Sequence, residues 1–278
     1  FVPYFLVLFA PIPHWSYLFC AVIMGVGLAG IGMTIMHDAN HQAYSKNKTV
    51  NLILGYTLNF IGGSRSNWKI QHNKLHHTFT NIKGSDNDLN AGGLLRLSPH
   101  HKPGKLYRYQ HIYAWFVYSL MTLLWVVLKD IKDLAGYRKQ GFRLNKKNSL
   151  SKEIMILAIS KAFYVAYMVV VPLLVLDITW WQFLIGFCVL HLTAGFILSV
   201  TFQLAHVVEQ AAYPTPDEEG NIQNAWAIHQ LQTTANFARK NRILSWYMGG
   251  LNFQIEHHLF PKVCHIHYKD VTNFGKQM

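Results

Sequence analysis

Four long apolar stretches set the pattern of the chain. Trp15 to Met36 (WSYLFCAVIMGVGLAGIGMTIM) carries no charge, and as a helix it would be about 33 Å long, enough to span a bilayer. Met155 to Leu176 is interrupted only by Lys161, placed where its ammonium would snorkel toward the interface. Trp180 to Phe202 is uncharged and opens with a tryptophan pair suited to the membrane surface. Ile112 to Leu128, at 17 residues, is of borderline length. Residues 1 to 10 read as the tail of a further span, folding back on Trp15 to Met36 through a Pro11-Ile12-Pro13 turn. The pattern predicts an all-α integral membrane fold with four transmembrane helices in two hairpins, the first hairpin truncated. Starting at Phe1 inside an apolar run, the chain reads as a fragment, incomplete at both ends, of one domain over 1–278.

Composition supports a membrane protein. Hydrophobic residues make up 51% of the chain and charged residues 14%, against roughly 25% charged in soluble domains. Lys plus Arg outnumber Asp plus Glu by 25 to 13. Those basic residues lie in loops beside apolar spans, where they would meet anionic headgroups, and no arginine-rich run points to nucleic acid. Ten Lys/Arg against three acids lie between His37 and His111, and eight against two between Lys129 and Lys152. The short connection Leu174 to Trp180 has only Asp177. The positive-inside rule places both basic segments in the cytosol, so Ile112 to Leu128 should dip into or lie along the membrane rather than cross it. GVGLAG (Gly25 to Gly30) imitates a dinucleotide fingerprint but follows no strand, and close helix approach explains it better. Asn47-Lys48-Thr49 fits a glycosylation sequon on a loop assigned to the cytosol. Cys20, Cys188 and Cys264 lack metal or disulfide spacing and are expected as reduced thiols.

The informative chemistry is in histidine. His37-Asp38-Ala39-Asn40-His41 follows the first full span, and His72-Asn73-Lys74-Leu75-His76-His77 lies in the loop beyond it. Gln254-Ile255-Glu256-His257-His258 comes near the end, and His206 follows the last span. On a helix, residues i and i+4 share a face, so His37 with His41 and His72 with His76 can each offer two imidazoles to one ion. Adjacent histidines diverge by about 100° and suit two ions side by side. Imidazole-rich ligation favours iron, copper or zinc over magnesium or calcium. The clusters can converge only if Ile112 to Leu128 does not cross the membrane, the same topology that the charge pattern selects. His191 reads as a packed membrane histidine, and His229 as a hydrogen-bonding partner of a ligand or the substrate. His14, His100, His101, His111, His265 and His267 read as surface groups, with Cys264-x-His-x-His a chance imitation of a metal site.

HDANH, HNKLHH and GGLNFQIEHHLFP resemble the three histidine boxes of the membrane-bound fatty acid desaturases, and almost the whole chain follows that family's order of spans and boxes. Glutamine in place of the first histidine of the third box is similar to the front-end desaturases and bacterial linoleoyl-CoA desaturases. The resemblance implies a cytosolic helical cap holding two iron ions. Its ligands would be His37, His41, His72, His76, His77, His206, His257 and His258, with Gln254 at the remaining position. Where stearoyl-type enzymes have an asparagine four residues before the histidine that His206 resembles, this chain has Phe202. Gln203 does not stand at that position, so the asparagine's role is not carried over.

The implied reaction uses O2 and two electrons to remove hydrogen from adjacent methylenes of a fatty acyl chain, as acyl-CoA or acyl-lipid. A b-type cytochrome, or a ferredoxin with its reductase, would supply the electrons. Asp38 and Glu256 are candidates for orienting ligand N–H groups, and Trp68, Phe237 and Trp246 for lining an acyl tunnel. Arg65, Lys69, Lys74 and Arg239 are candidates for holding an anionic headgroup or CoA phosphate. The active site would face the cytosol, in a bacterial inner membrane rather than the endoplasmic reticulum. A diiron hydroxylase of an acyl chain, alkane or carotenoid is the nearest alternative reading. A metal transporter would need polar residues along its spans, and these hold almost none.

Overall fold

The computed structural model describes residues 1–143 and 149–275; Lys146 and Lys147, counted above in the second basic segment, lie outside the described residues. The described chain is helical throughout, with no strand among the described residues. Three helices are long and apolar enough to cross a membrane: Ser16–His41, Leu150–Val175 and Trp180–His206. Three of the four expected spans are matched by these helices, and Val2–Phe9, expected as the tail of a further span, is an eight-residue helix. The borderline stretch belongs to a helix pair, Lys105–Ser119 and Met121–Lys139, bent by 50° at Leu120, too sharply for one straight span. In Leu150–Val175 only 17% of the most apolar stretch is buried, so most of its apolar surface faces outward, as contact with lipid requires.

Helix boundaries move three histidines inside the spans. The first span breaks at Thr34 (φ −107°, ψ −82°) and continues as Ile35–His41, so His37 and His41 sit on its last two turns. His206 ends the 27-residue helix Trp180–His206 instead of following it. That helix starts with a reciprocal cap, in which Thr179 accepts from the Gln182 backbone and its own N–H reaches the Gln182 side chain at 2.8 Å. Asn47 of the sequon caps Lys48–Gly55, accepting from Thr49 N at 2.8 Å.

The first and last spans pack most closely. Ala29 and Ala194 are fully buried between them, and a Cβ on Gly25 would stand 2.5 Å from Leu190 O, which accounts for the small residues of GVGLAG. The bent segment docks on the last span in the same way, since a Cβ on Gly195 would lie 2.2 Å from Ser119 O.

Lys161 does not snorkel. Its ammonium donates to Gly62 O (2.7 Å), Trp125 O (3.1 Å) and Asp130 Oδ2 (2.7 Å), and Asp130 is itself buried and bonded by Asn67 and Trp125. One cation thus ties the second span to the bent segment and to the loop before the second histidine cluster. Lys161→Met should strand the Asp130 carboxylate and cost roughly 3–5 kcal/mol, seen as a lower thermal midpoint in detergent. Lys161→Met with Asp130→Asn should regain most of the loss, and no difference between the two would show that the pair is not a structural tie.

Candidate metal centre

Eight imidazoles converge where the last turns of the first and last spans meet two short helices. His37, His41, His72 and His257 each offer a ring nitrogen, all within 4.8 Å of one another. His76, His206 and His258 form a second such group, and His77 joins His257 and His258 in a third that lies between them. The eight were all named from the sequence. Gln254 opens the helix Gln254–Leu259, and its buried Oε1 has no partner.

The local geometry differs from simple α spacing in one important place. Lys69–His76 is a π-helix, its hydrogen bonds running i→i+5. On an α-helix His77 would diverge from the face carrying His72 and His76. The wider turn brings His77 Nε2 to 3.3 Å from His72 Nε2 while His76 stays stacked at 5.3 Å between ring centroids. The third cluster is placed by Gly249 (φ +57°) and Gly250 (φ +67°), a left-handed pair that turns the chain against the break at Thr34. A Cβ on Gly249 would meet Thr34 Cγ2 at 2.7 Å, so the position requires glycine.

Four ligand candidates are fixed by their Nδ1 atoms. His76 donates to Asp86 Oδ2 (3.0 Å), His206 to Thr233 O (3.3 Å), His257 to the Tyr268 hydroxyl (2.9 Å) and His258 to Gln230 Oε1 (2.8 Å). The oxygens facing His76, His206 and His258 can only accept, so those three bonds select the tautomer whose Nε2 lone pair is free, and the Nε2 atoms of all four histidines are buried with no hydrogen-bond partner. The Nε2 of His41 and Nδ1 of His77 are buried and unpartnered too, and His37 Nε2 lies 3.2 Å from His72 Nε2. Leaving one buried polar atom unpaired costs about 1–3 kcal/mol. So many lone pairs facing one another fit a cationic occupant far better than a packed core.

Of the expected supporting residues, Asp38 lies 3.7 Å from His37 Nδ1 and accepts from His265 Nδ1 at 2.7 Å, so His265 is no mere surface group. Glu256 binds Asn236 and Thr272 and no imidazole. His229 is buried with neither ring nitrogen partnered. Asp86, Gln230, Thr233 and Tyr268 escaped the sequence reading, since a carboxylate ten residues from His76 or a hydroxyl eleven from His257 carries no periodic signal. Asn81 was missed as well. In a left-handed conformation (φ +61°), it donates to His206 O at 2.9 Å and ties the second cluster to the last span.

Electrostatics keeps most of the cluster neutral. Burial, reinforced by neighbouring imidazoles, holds the pKa values of His72, His77, His257 and His258 well below the usual histidine value. For His76 burial opposes charge, but Asp86 and Asp88 outweigh it and raise the pKa. Neutral imidazole is the metal-binding form.

A cavity of about 200 Å³ opens against this cluster, lined by His37, His72, Gln254 and Trp68 and by apolar groups including Leu28, Met33 and Leu198. Trp68 stacks on His72 with centroids 4.4 Å apart. Phe237 instead packs against the core between the first and last spans, and Trp246 is 78% exposed, so neither lines this cavity as expected. Arg65, offered above to headgroups, is buried, with Nε donating to Asn40 Oδ1 at 2.8 Å.

Comparison with known proteins agrees with this architecture. The fatty acid desaturase family profile matches residues 13–276. The sn-1 linoleoyl-lipid 6-desaturase of Arthrospira platensis is 38% identical over 266 residues, covering 96% of this chain and 71% of the relative. The protein of the same name from Synechocystis sp. is 38% identical over 273 residues, covering 98% and 75%. The acyl-lipid (8-3)-desaturase of Physcomitrium patens is 35% identical over 270 residues, covering 96% and 56%. The chain is a multi-pass membrane enzyme and belongs to the fatty acid desaturase family.

Proposed function

We propose that this desaturase is of the front-end type, placing a cis double bond on the carboxyl side of an existing one in an acyl-lipid, at a site that holds two iron ions. The observation that carries the metal part is the convergence of buried, unpartnered imidazole nitrogens in two groups. His37, His41, His72 and His257 would hold one ion, and His76, His206 and His258 the other. His77 stands between the groups, and Gln254 Oε1 is a weaker neutral donor beside them. Bound there, the ions would supply the capacity to activate O2 and remove hydrogen from two adjacent methylenes, with two electrons from a donor protein completing reduction to water.

The protein's own contribution is positional. Methylenes have no acid or base handle, and the cavity walls offer the apolar contact that an acyl chain needs. Trp68, stacked on His72, would hold the chain against the cluster, and Asp86, Gln230, Thr233 and Tyr268 keep the imidazoles oriented. The cluster and cavity mouth would face the cytosol, with the bent segment lying in the membrane without crossing it, so that all the histidines reach one side. The front-end assignment is supported by Gln254 in the third box and by the names of the cyanobacterial and moss relatives.

Two measurements test the reading. Expressed with a reductase and electron carrier and fed mono- and polyunsaturated acids, the protein should form a new double bond nearer the carboxyl end, located by mass spectrometry, and His76→Ala should form none. Hydroxylated products would reassign it to an oxygenase. Asp86→Asn, which loosens His76 without removing a ligand, should lower iron affinity about 10–100-fold in metal titration. Unchanged affinity would remove Asp86 from the site.

A further inference from the structure

The cavity is apolar along most of its wall, and beside the histidines and Gln254 its polar lining includes Gln71, Asp88 and Lys129. These three are bonded in series. Lys129 Nζ donates to Gln71 Oε1 and to Asp133 Oδ2, and Gln71 Nε2 donates to Asp88 Oδ1. The series fixes the orientation of the glutamine amide, because the ammonium needs its oxygen and the carboxylate its nitrogen. An ammonium carries three N–H groups and a primary amide two, so one donor on each side chain is left over. The two spare donors therefore belong to neighbouring, hydrogen-bonded side chains that both line the cavity. Asp88 and Asp133 offset the charge of Lys129, which suits a neutral acceptor with two lone pairs better than a polyanion.

Resting on the reading of this cavity as the acyl site, we propose that Gln71 and Lys129 bind the carbonyl oxygen of the acyl ester and so set where along the chain the double bond is placed. Gln71 is the residue before His72, and Asp88 Oδ2 lies 3.6 Å from His76 Nδ1, so the donor pair adjoins the histidine cluster. A carbonyl held there leaves only a short run of methylenes between it and the cluster. The rest of the chain extends along the apolar wall by Leu28, Met33, Leu58 and Leu198. Counting from the carboxyl end then follows from where the donors sit. Lys129 and Gln71 are positioning residues, and the ligand chemistry is a carbonyl ester of a glycerolipid or the thioester of an acyl-CoA.

The test compares an acyl glycerolipid, its ether analogue lacking the carbonyl, and the acyl-CoA, on purified protein loaded with iron and on the Lys129→Met and Lys129→Arg variants. Binding is read by competition against a brominated acyl ester that quenches Trp68 and Trp125, which both line the cavity. A hydrogen bond from a charged donor predicts ester binding about 10–100-fold tighter than ether binding in the native protein. That preference should vanish in Lys129→Met and return in Lys129→Arg, and the Met variant should scatter the double-bond position among products. Equal binding of ester and ether by the native protein, or a preference untouched in Lys129→Met, overturns the proposal. The acyl-CoA arm separates the two carbonyl sources. If no acyl compound displaces the quencher while iron is bound, the acyl-site reading itself fails, an outcome distinct from loss of the carbonyl preference alone.

Discussion

Seven buried imidazole nitrogens of the ligand candidates, without a hydrogen-bond partner, govern this structure more than any apolar contact does. Apart from His37 Nδ1, which lies 3.7 Å from Asp38 Oδ1, each was stripped of water on folding and given nothing in return by the protein. The arrangement is consistent with lone pairs that share an occupant, and for His76, His206, His257 and His258 a contact on the opposite ring nitrogen holds the ring in place. The chain invests Asp86, Gln230, Tyr268 and the Thr233 carbonyl in that task, drawn from three separate segments. The cap is built to hold a dense set of neutral donors at the edge of the bilayer.

Much of this could be read from the sequence, because the ligand candidates are chemically conspicuous and occur in clusters. Adjacent pairs such as His76-His77 and His257-His258 already argued for two neighbouring ions, and the charge pattern brought all clusters to one side. The supporting residues were not legible. Asp38 and Glu256 were chosen because they sit inside the clusters; Asp38 does lie beside His37, but the contact to His76 comes from Asp86, and Glu256 binds Asn236 and Thr272. Sequence proximity fails there because residues next to a ligand on a short helix point away from the ion that the ligand faces. The π-helix over Lys69–His76 was invisible for a related reason, since no residue type marks it. It forms where three histidines must share one face, a tertiary demand that overrides local preference. Phe237 and Trp246, chosen for aromatic character, are not among the residues that line the cavity beside the cluster.

The membrane region was legible in kind but not in detail. Apolar runs located all three long helices to within a few residues at most ends, but the first and last spans continue into the histidine clusters. The consequence is mechanical. His37, His41 and His206 are carried on helices anchored across the bilayer, so three of the eight imidazoles inherit the rigidity of the spans. Of those on the short elements, His76, His257 and His258 are held by the hydrogen bonds described above.

Methylenes along an acyl chain are chemically almost alike, so an enzyme that selects two of them can do so only by position. That requires walls that do not drift, and the polar groups within the membrane region serve this end. Lys161 fixes the carbonyls of Gly62 and Trp125, both in the cavity wall, and Thr122, in the same wall, donates to His191 O at 2.7 Å. His191 is in turn bonded to the Tyr164 hydroxyl at 2.7 Å. Isolated in hydrocarbon such groups would be costly; joined, they lock the bent segment to two spans with directional bonds that apolar packing cannot provide. Selectivity in this fold thus depends on buried polar contacts outside the histidine cluster as much as on the cluster itself.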